Sequence, residues 1–511
     1  MYLTQGLHRA LQQTPGSPLT VYEGRVTTAA RCADRTARLA AGMEALGVRP
    51  GFRVALLSLN SDRFHETLLA TWWLGAAIVP LNTRWSAAEV EFALRHSGAC
   101  VLFVDDACAV LASELKGGKI AVVYCGDGIA PEGALFYEEM LEPTPINDSG
   151  TGGDAPAGIF YTGGTTGFPK GVVLSHTNLV SSALGSQATL PLVTPGGSCL
   201  HAAPMFHLAA LALWTAQLLV GGTHVILPAF TPQGVLRAVE RHRVDSALLV
   251  PTMLQRLLEH PQRPHTDLSS LRRLVYGGSP IPESTLAEAR AALPGVDLVQ
   301  AYGMTELAPI ATLLGPADHQ RPDTARSCGR AAAHTQVRIL AADGAEAARG
   351  QVGEVAVRGA NVMLGYWNDP QQTSHAVREG WMHTGDSGWM DEHGYVTIVD
   401  RIKDMIISGG ENVYSTEVEN ALLHHPAVAG CAVIGVPDAT WGERVHAVVV
   451  LAGEGQTTAD GLRAHCKELI AGYKCPKTVE FVSELPISPA GKVLKEHLRK
   501  ARRPTDTGSH E

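Results

Sequence analysis

The chain has 511 residues, 45% of them hydrophobic and 18% charged, which excludes a disordered polymer and is too long for one simple core, so two or more structural units are expected. A formal net charge of −9 gives no general field for nucleic acid or anionic lipid, so an anionic ligand has to be held by local donors. No run approaches the roughly 20 apolar residues of a membrane helix, and the start "MYLTQGLHRALQQTPG" lacks a signal peptide's apolar core.

In chain order, residues 30–60 carry a helix through "ARLAAGMEALG", stopped by Gly47, and then a buried strand "RVALLSL". The alternation recurs at "CVLFVDD" (100–106), "KIAVVYC" (119–125), "THVILPAF" (223–230), "DSALLVP" (245–251) and "LRRLVYGG" (271–278). Short apolar runs between helix-like segments imply parallel sheets in a large α/β N-terminal region. The polar, proline-rich stretch 142–158 reads as a surface connector. After Gly350 the strands shorten, as in "GEVAVRG" and "GYVTIVDRI", and from about residue 402 "EVENALLHH", "AGCAVIGV", "RVHAVVVL" and "GLRAHCKELI" form a compact α+β unit. The expectation is an α/β fold with a large N-terminal domain over 1–401, a small α+β C-terminal domain over 402–500 and a disordered tail over 501–511. Nine scattered cysteines without CxxC spacing fit reduced thiols in a cytoplasmic protein and give no zinc site. The histidines outside the motifs below, with His424 and His425 at a helix end, read as surface or capping residues.

Within "YTGGTTGFPKGVVLS" (161–175), Gly163, Gly164 and Gly167 allow sharp turns and close approach to a ligand, Thr162, Thr165 and Thr166 add hydroxyls, and Lys170 adds a charge. Such a loop suits a polyphosphate, although GxxxxGK[ST] is not matched here or at Lys492. The stretch resembles the phosphate loop of the adenylate-forming superfamily, the acyl-CoA synthetases and their relatives. Where that family usually has serine this chain has Gly163, which removes one hydroxyl. Six further segments in the same order are similar to that family and together span roughly residues 20 to 500.

Each has its own physical reading beside the resemblance. "QAYGMTELAP" (300–309) joins an aromatic face, a hydroxyl and a carboxylate; the resemblance places Tyr302 against adenine, with Ala301, Gly303 and Met304 around the nucleotide, Thr305 at the α-phosphate and Glu306, with Thr162, on magnesium. "VYGGSPIPES" (275–284) ends a parallel strand with Gly277 and Gly278, where α/β sheets leave a crevice, and Ser279 follows. The resemblance implies that Gly278 and Ser279 border the nucleotide and that Gly277, Gly278 and Pro309 border the acid. "APMFHLAALALW" (203–214) resembles the acyl-pocket entrance, with His207 near the substrate carboxyl and the uncharged Ala209 and Leu213 favouring an apolar chain or ring; Ala209 stands where relatives acting on hydroxycinnamates often have Tyr. Asp386 and Arg401 are assigned by resemblance to the ribose, Lys403 to a hinge about which the small domain swings, and Lys492 to the catalytic lysine. Ser408, Gly409 and Gly410 would flank the pantetheine route, with Trp441 and Lys477 as further coenzyme A contacts.

The resemblance implies an acid–thiol ligase using ATP, Mg2+ and coenzyme A: an apolar carboxylic acid, fatty or simple aromatic, becomes acyl-AMP and then acyl-CoA, releasing AMP and pyrophosphate. The alternatives are a ligase specific for aryl or hydroxycinnamic acids, a ligase loading a separate carrier protein, an amino-acid-activating domain, a luciferase-type oxygenase and a non-catalytic nucleotide-binding regulator. "PMFH" offers no acidic residue for an amino group, against the amino-acid reading. Lys492, Glu306, Asp386 and Arg401 are all present, against the regulator. Nucleic acid and membrane insertion are not expected, and a homodimer is compatible with the sequence.

Overall fold

A computed structural model describes residues 1–115, 120–162, 169–408, 411–438, 440–453, 457–488 and 492–502. The chain divides into two compact units. The first comprises Met1–Gly278, Ala289–Val337 and Ala356–His383, the second Ser279–Glu288, Arg338–Val355 and the chain from Thr384 onward.

Two sheets build the first unit. In the eight-stranded sheet the order is Gly365–Tyr366, Lys170–Ser175, Pro156–Thr162, Ala77–Pro80, Arg53–Leu57, Val101–Val104, Ala121–Tyr124 and Leu135–Phe136. Its centre is parallel, and residues 54–57 and 101–104 are fully buried, which is why they read as unbroken apolar runs. The nine-stranded sheet runs Arg330–Ala331, Thr312–Leu314, Asp297–Tyr302, Arg273–Gly277, Ser246–Leu249, Ser198–His201, Thr223–Ile226, Pro18–Tyr22 and Arg25–Thr28. It too is parallel in the middle and antiparallel at both margins. The helix Ala29–Ala45 is N-capped by Thr28, whose hydroxyl accepts from Arg31 N, and buries Cys32, Thr36, Leu39, Ala40 and Met43 along one stripe. Gly47, at φ 90°, follows its end.

One expectation is sharpened here and one changes. The connector 142–158 is anchored: Trp73 Nε1 donates to Ile146 O at 2.9 Å, and Asp148 accepts from Thr4 Oγ1 at 2.6 Å and contacts His8 Nε2 at 2.7 Å, tying down the N-terminal helix Gln5–Gln13. Its last residues already belong to the strand Pro156–Thr162. Several histidines taken as surface residues are core residues. His65, His201 and His224 are at most 3% exposed, and their rings gather beside Trp214. Trp214 Nε1 donates to His65 Nδ1 at 3.0 Å, and His201 Nε2 lies 3.0 Å from His224 Nδ1. Burial drives the His65 imidazole down to about 3; burial and then His65 drive His201 down to about 3, and burial with both neighbours drives His224 well below its usual value. Sheet strands and an apolar helix supply these positions, so hydrophobic packing outweighs the polarity of the neutral rings. His424 does cap its helix, with Nδ1 2.7 Å from Asn420 O.

In the second unit the strands Glu411–Val413, Ile406–Ser408, Gly442–Leu451 and Val428–Asp438 pair antiparallel in that order, and Thr478–Phe481 adds in parallel to Gly442–Leu451. Alternate residues serve opposite faces: Cys431 and Val433 pack with the helices Ser415–Leu423 and Ala459–Leu469, while Ala432, Ile434 and Val436 pack with Leu498 of the helix Lys495–Lys500. A hairpin of Trp381–Met390 and Val396–Arg401 precedes this sheet in the chain. Buried Asp400 accepts from Ser415 N at 2.5 Å and Ser415 Oγ at 2.7 Å, joining the hairpin to the start of the next helix. Among the described residues no helix is long and apolar enough to cross a membrane.

Candidate active site

Both stems of the glycine-rich stretch belong to one antiparallel pair, with Thr162 opposite Lys170 and Tyr161 opposite Gly171. The stem is braced by Tyr161, whose hydroxyl donates to Ala93 O at 3.2 Å and lies 2.9 Å from His96 Nδ1. Gly163, Gly164, Thr165, Thr166 and Gly167 lie outside the described residues.

Strands Arg273–Gly277 and Asp297–Tyr302 run parallel with Gly277 beside Ala301, so their carboxyl ends bring Gly277, Gly278, Ala301 and Tyr302 to one edge of the sheet. Glycine is required at two positions there. A Cβ on Gly277 would lie 2.2 Å from Ala301 O, and one on Gly303 would lie 2.0 Å from Pro309 O. Ala308 takes the left-handed φ of 58° before Pro309. Ser279 follows Gly278, which has φ 82°.

After the strand, Thr305–Leu307 forms a single 3-10 turn that carries Glu306, 6% exposed. Its carboxylate Oε1 accepts from Tyr366 Oη at 2.9 Å, and its backbone carbonyl accepts from Met363 N at 2.9 Å. Asn361, fully buried, donates through Nδ2 to Leu307 O at 2.7 Å and Ile310 O at 3.1 Å. Residues 361–366 thus clasp the turn from Glu306 to Ile310. The Tyr366 ring also lies 5.3 Å from Lys170 Nζ, which donates to Gln372 Oε1 at 2.8 Å. Burial, followed by the Glu306 carboxylate, pushes the Tyr366 phenol up, so the hydroxyl stays protonated and donates.

Among the described residues no group of three or more His, Cys, Asp or Glu side chains forms a metal cage. A buried, oriented carboxylate nevertheless fits magnesium, which takes one or two carboxylates and completes its shell with phosphates and water. Glu306 is such a group, and the Thr162 hydroxyl is the other protein oxygen assigned to it.

His207 immediately precedes the helix Leu208–Val220, its ring 4.4 Å from that of Phe206. Leu213 is buried and Ala209 half-buried on that helix. A tight apolar crevice lined by Leu179, Ala183, Leu208, Leu211, Ala308 and Pro309 leaves no room for a water molecule.

In the second unit Asp386 and Arg401 are cross-strand partners, with Arg401 Nε 3.4 Å from Asp386 Oδ1 and the guanidinium half exposed. Lys403 follows in an exposed turn in which Asp404 N and Met405 N both donate to Arg401 O. Ser408 ends its strand, and Gly409 and Gly410 lie outside the described residues. Trp441 and Lys477, far apart in sequence, meet: Lys477 Nζ stands 5.4 Å from the indole centroid. Lys492 donates its backbone N–H to Ser488 Oγ at 3.1 Å and accepts from Ser488 N at 2.7 Å, just ahead of the helix Lys495–Lys500.

Tyr366, Asn361 and Gln372 went unread in the sequence. The available signal was "GANVMLGYW", an asparagine and two aromatic residues set among glycines and apolar residues, but its link to Glu306 spans 60 residues.

A family model described as AMP-binding enzyme matches residues 7–367, and one described as AMP-binding enzyme C-terminal domain matches residues 417–492. Feruloyl-CoA synthase of an Amycolatopsis species is 41% identical over 493 residues, covering 96% of this chain and 97% of the relative. Indoleacetate–CoA ligase of Aromatoleum aromaticum is 38% identical over 508 residues, covering 98% of each. The solved structure of o-succinylbenzoate CoA synthetase from Bacillus subtilis, in complex with its acyl-adenylate intermediate OSB-AMP, matches with a TM-score of 0.86 at 32% identity, covering 98% of each chain.

Proposed function

The chain belongs to the AMP-binding enzymes, the adenylate-forming superfamily of acyl-CoA synthetase type, and on that premise we propose an ATP-dependent acid–CoA ligase whose preferred acid is aromatic. The observation that carries the choice of acid is the likeness to two ligases named for aromatic acids, at 41% and 38% identity over nearly the whole chain. The uncharged side chains of Leu208, Leu211 and Ala308 packed beside Pro309 agree with an apolar acid.

A carboxylate is a poor electrophile because oxide does not leave, so the acid must first acquire a leaving group. Its oxygen attacks the α-phosphorus of ATP and pyrophosphate departs, forming acyl-AMP. Magnesium, when bound, neutralises charge on the phosphates. Glu306 holds its place in the site, Lys170 and the hydroxyls of its loop receive the pyrophosphate, and Lys492 stabilises charge developing between carboxylate and α-phosphate. Asp386 accepts from the ribose hydroxyls, with Arg401 beside it. A thiol then attacks the acyl carbonyl and AMP leaves. We assign this second step to a rearrangement of residues 402–500 about Lys403 that withdraws Lys492 and admits coenzyme A past Ser408, with Trp441 and Lys477 holding the cofactor. Free, scattered cysteines support a cytoplasmic location for the reaction.

The test is a panel of cinnamic, arylacetic, benzoic and straight-chain acids scored for acid-dependent pyrophosphate release and, with coenzyme A, for acyl-CoA by mass. Aromatic acids are expected to lead in kcat/KM by about tenfold or more, the scale of a few methylenes misplaced in an apolar pocket. Long-chain acids leading would overturn the choice of acid; acyl-AMP without acyl-CoA would point to a carrier-protein acceptor.

A further inference from the structure

We infer that Tyr366 is a positioning residue for the metal–nucleotide complex, orienting the Glu306 carboxylate through its hydroxyl and seating the Lys170 ammonium on its ring. The inference rests on the roles proposed above for Glu306 and Lys170.

Glu306 and Lys170 come from separate elements, a turn after a strand of one sheet and the first residue of a strand in the other, and Tyr366 touches both. Its hydroxyl is 2.9 Å from Glu306 Oε1, and its ring centroid is 5.3 Å from Lys170 Nζ. The residue can do this because its backbone is fixed on both sides. Tyr366 pairs with Val172 in the strand that begins at Lys170, and its N–H donates to Thr373 Oγ1 at 2.8 Å. Gln372, one residue before that threonine, holds Lys170 Nζ at 2.8 Å, so one short segment sets both the ring and the position of the cation over it.

A glutamate carboxylate otherwise samples several rotamers, and a cation has to select one. A hydroxyl bonded to one carboxylate oxygen makes that selection before the ligand arrives, and such outer partners tune metal affinity. The ring does the same for the lysine: an ammonium over an aromatic face is localised by a neutral partner, which leaves its charge for phosphate. Tyr366 carries out no chemistry itself; it sets where a negative and a positive group stand.

The experiment uses the full chain with ATP and Mn2+ in place of Mg2+, without acid or coenzyme A, titrated by electron paramagnetic resonance of free Mn2+. Y366F keeps the ring and both backbone bonds and loses only the hydroxyl. Mn2+ affinity in the presence of ATP is expected to fall about tenfold in Y366F. ATP affinity measured calorimetrically in EDTA should stay within about twofold, because the ring still seats Lys170. In Y366L the metal-free ATP affinity falls as well. In an E306Q background the further effect of Y366F on Mn2+ should shrink to about twofold or less, as expected for two groups acting as a pair. The inference is overturned if Y366F binds Mn2+ with ATP as wild type does, or if its loss is undiminished beside E306Q. Because no acid is present, either result leaves the ligase reading standing. Normal Mn2+ and ATP binding with no acyl-AMP from any acid would count against the ligase reading alone.

Discussion

The candidate residues of the two units are held in opposite ways. In the first, Glu306 is nearly buried and its turn is braced by Asn361, Met363 and Tyr366. In the second, Arg401 is half exposed, Trp441 is 46% exposed, and Lys492 is held to Ser488 by its two backbone groups, one bonding the Ser488 hydroxyl and the other its N–H. Burial and multiple hydrogen bonds suit groups that keep one geometry through a reaction, whereas exposed turns suit groups that act in one step and leave in another.

The sharpest way to break that contrast is to remove one group from the second unit and follow both half-reactions. Lys492→Ala is expected to slow adenylate formation by about a thousandfold, the upper range for removing one charge-stabilising donor. Thiolysis of supplied acyl-AMP should stay near the wild-type rate, measured by stopped flow. Equal losses in both steps would mean that Lys492 is as permanent a part of the site as Glu306.

The next prediction concerns what the rigid unit costs in acid. His65, His201 and His224 are neutral in the core and have folded pKa values depressed below the unfolded imidazole value. A base with a depressed folded pKa binds its proton only on unfolding. Their contribution is therefore intact above about pH 6.5 and is lost as pH falls from there toward 3. Each such proton changes stability by about 1.4 kcal/mol per pH unit, so three together approach 4 kcal/mol per pH unit within that window. Urea unfolding between pH 7 and 5 checks this; a stability independent of pH there would mean that the cluster opens to water without unfolding.

Much of this contrast was legible in sequence, unevenly and for physical reasons. Runs such as "RVALLSL" and "CVLFVDD" were readable because both faces of a central parallel strand are buried, and the α/β class with a smaller C-terminal domain followed. The stems of the glycine-rich stretch were readable because apolar runs flank it, and their pairing of Thr162 with Lys170 agrees. Tyr366 was not readable, since a tyrosine after glycine looks like any turn residue and its partner Glu306 lies in another element. The buried histidines were misread because polarity was taken as exposure, whereas a neutral imidazole bonded to Trp214 or to another imidazole packs as an aromatic. The connector at 142–158 was readable as a surface stretch, but its anchorage was not: Asp148 looks solvated until Thr4 and His8 are brought to it.

The smallest expected effect lies at a pair of which Trp441 is 46% exposed. Lys477 Nζ stands over the Trp441 indole, 5.4 Å from its centroid. If Trp441 supplies a surface for coenzyme A and holds Lys477 toward its phosphates, Trp441→Ala removes a cation–π contact worth about 0.5–1 kcal/mol at an exposed site, together with the ring surface. KM for coenzyme A should then rise about fivefold, while ATP–pyrophosphate exchange measured with acid and no thiol stays unchanged. Lys477→Ala should act in the same direction, and the double variant should fall short of the product of the two single effects, because each removes the same contact. A fall in pyrophosphate exchange instead would place the pair in the first half-reaction, and the division of labour between braced and exposed groups would no longer follow the division between the units.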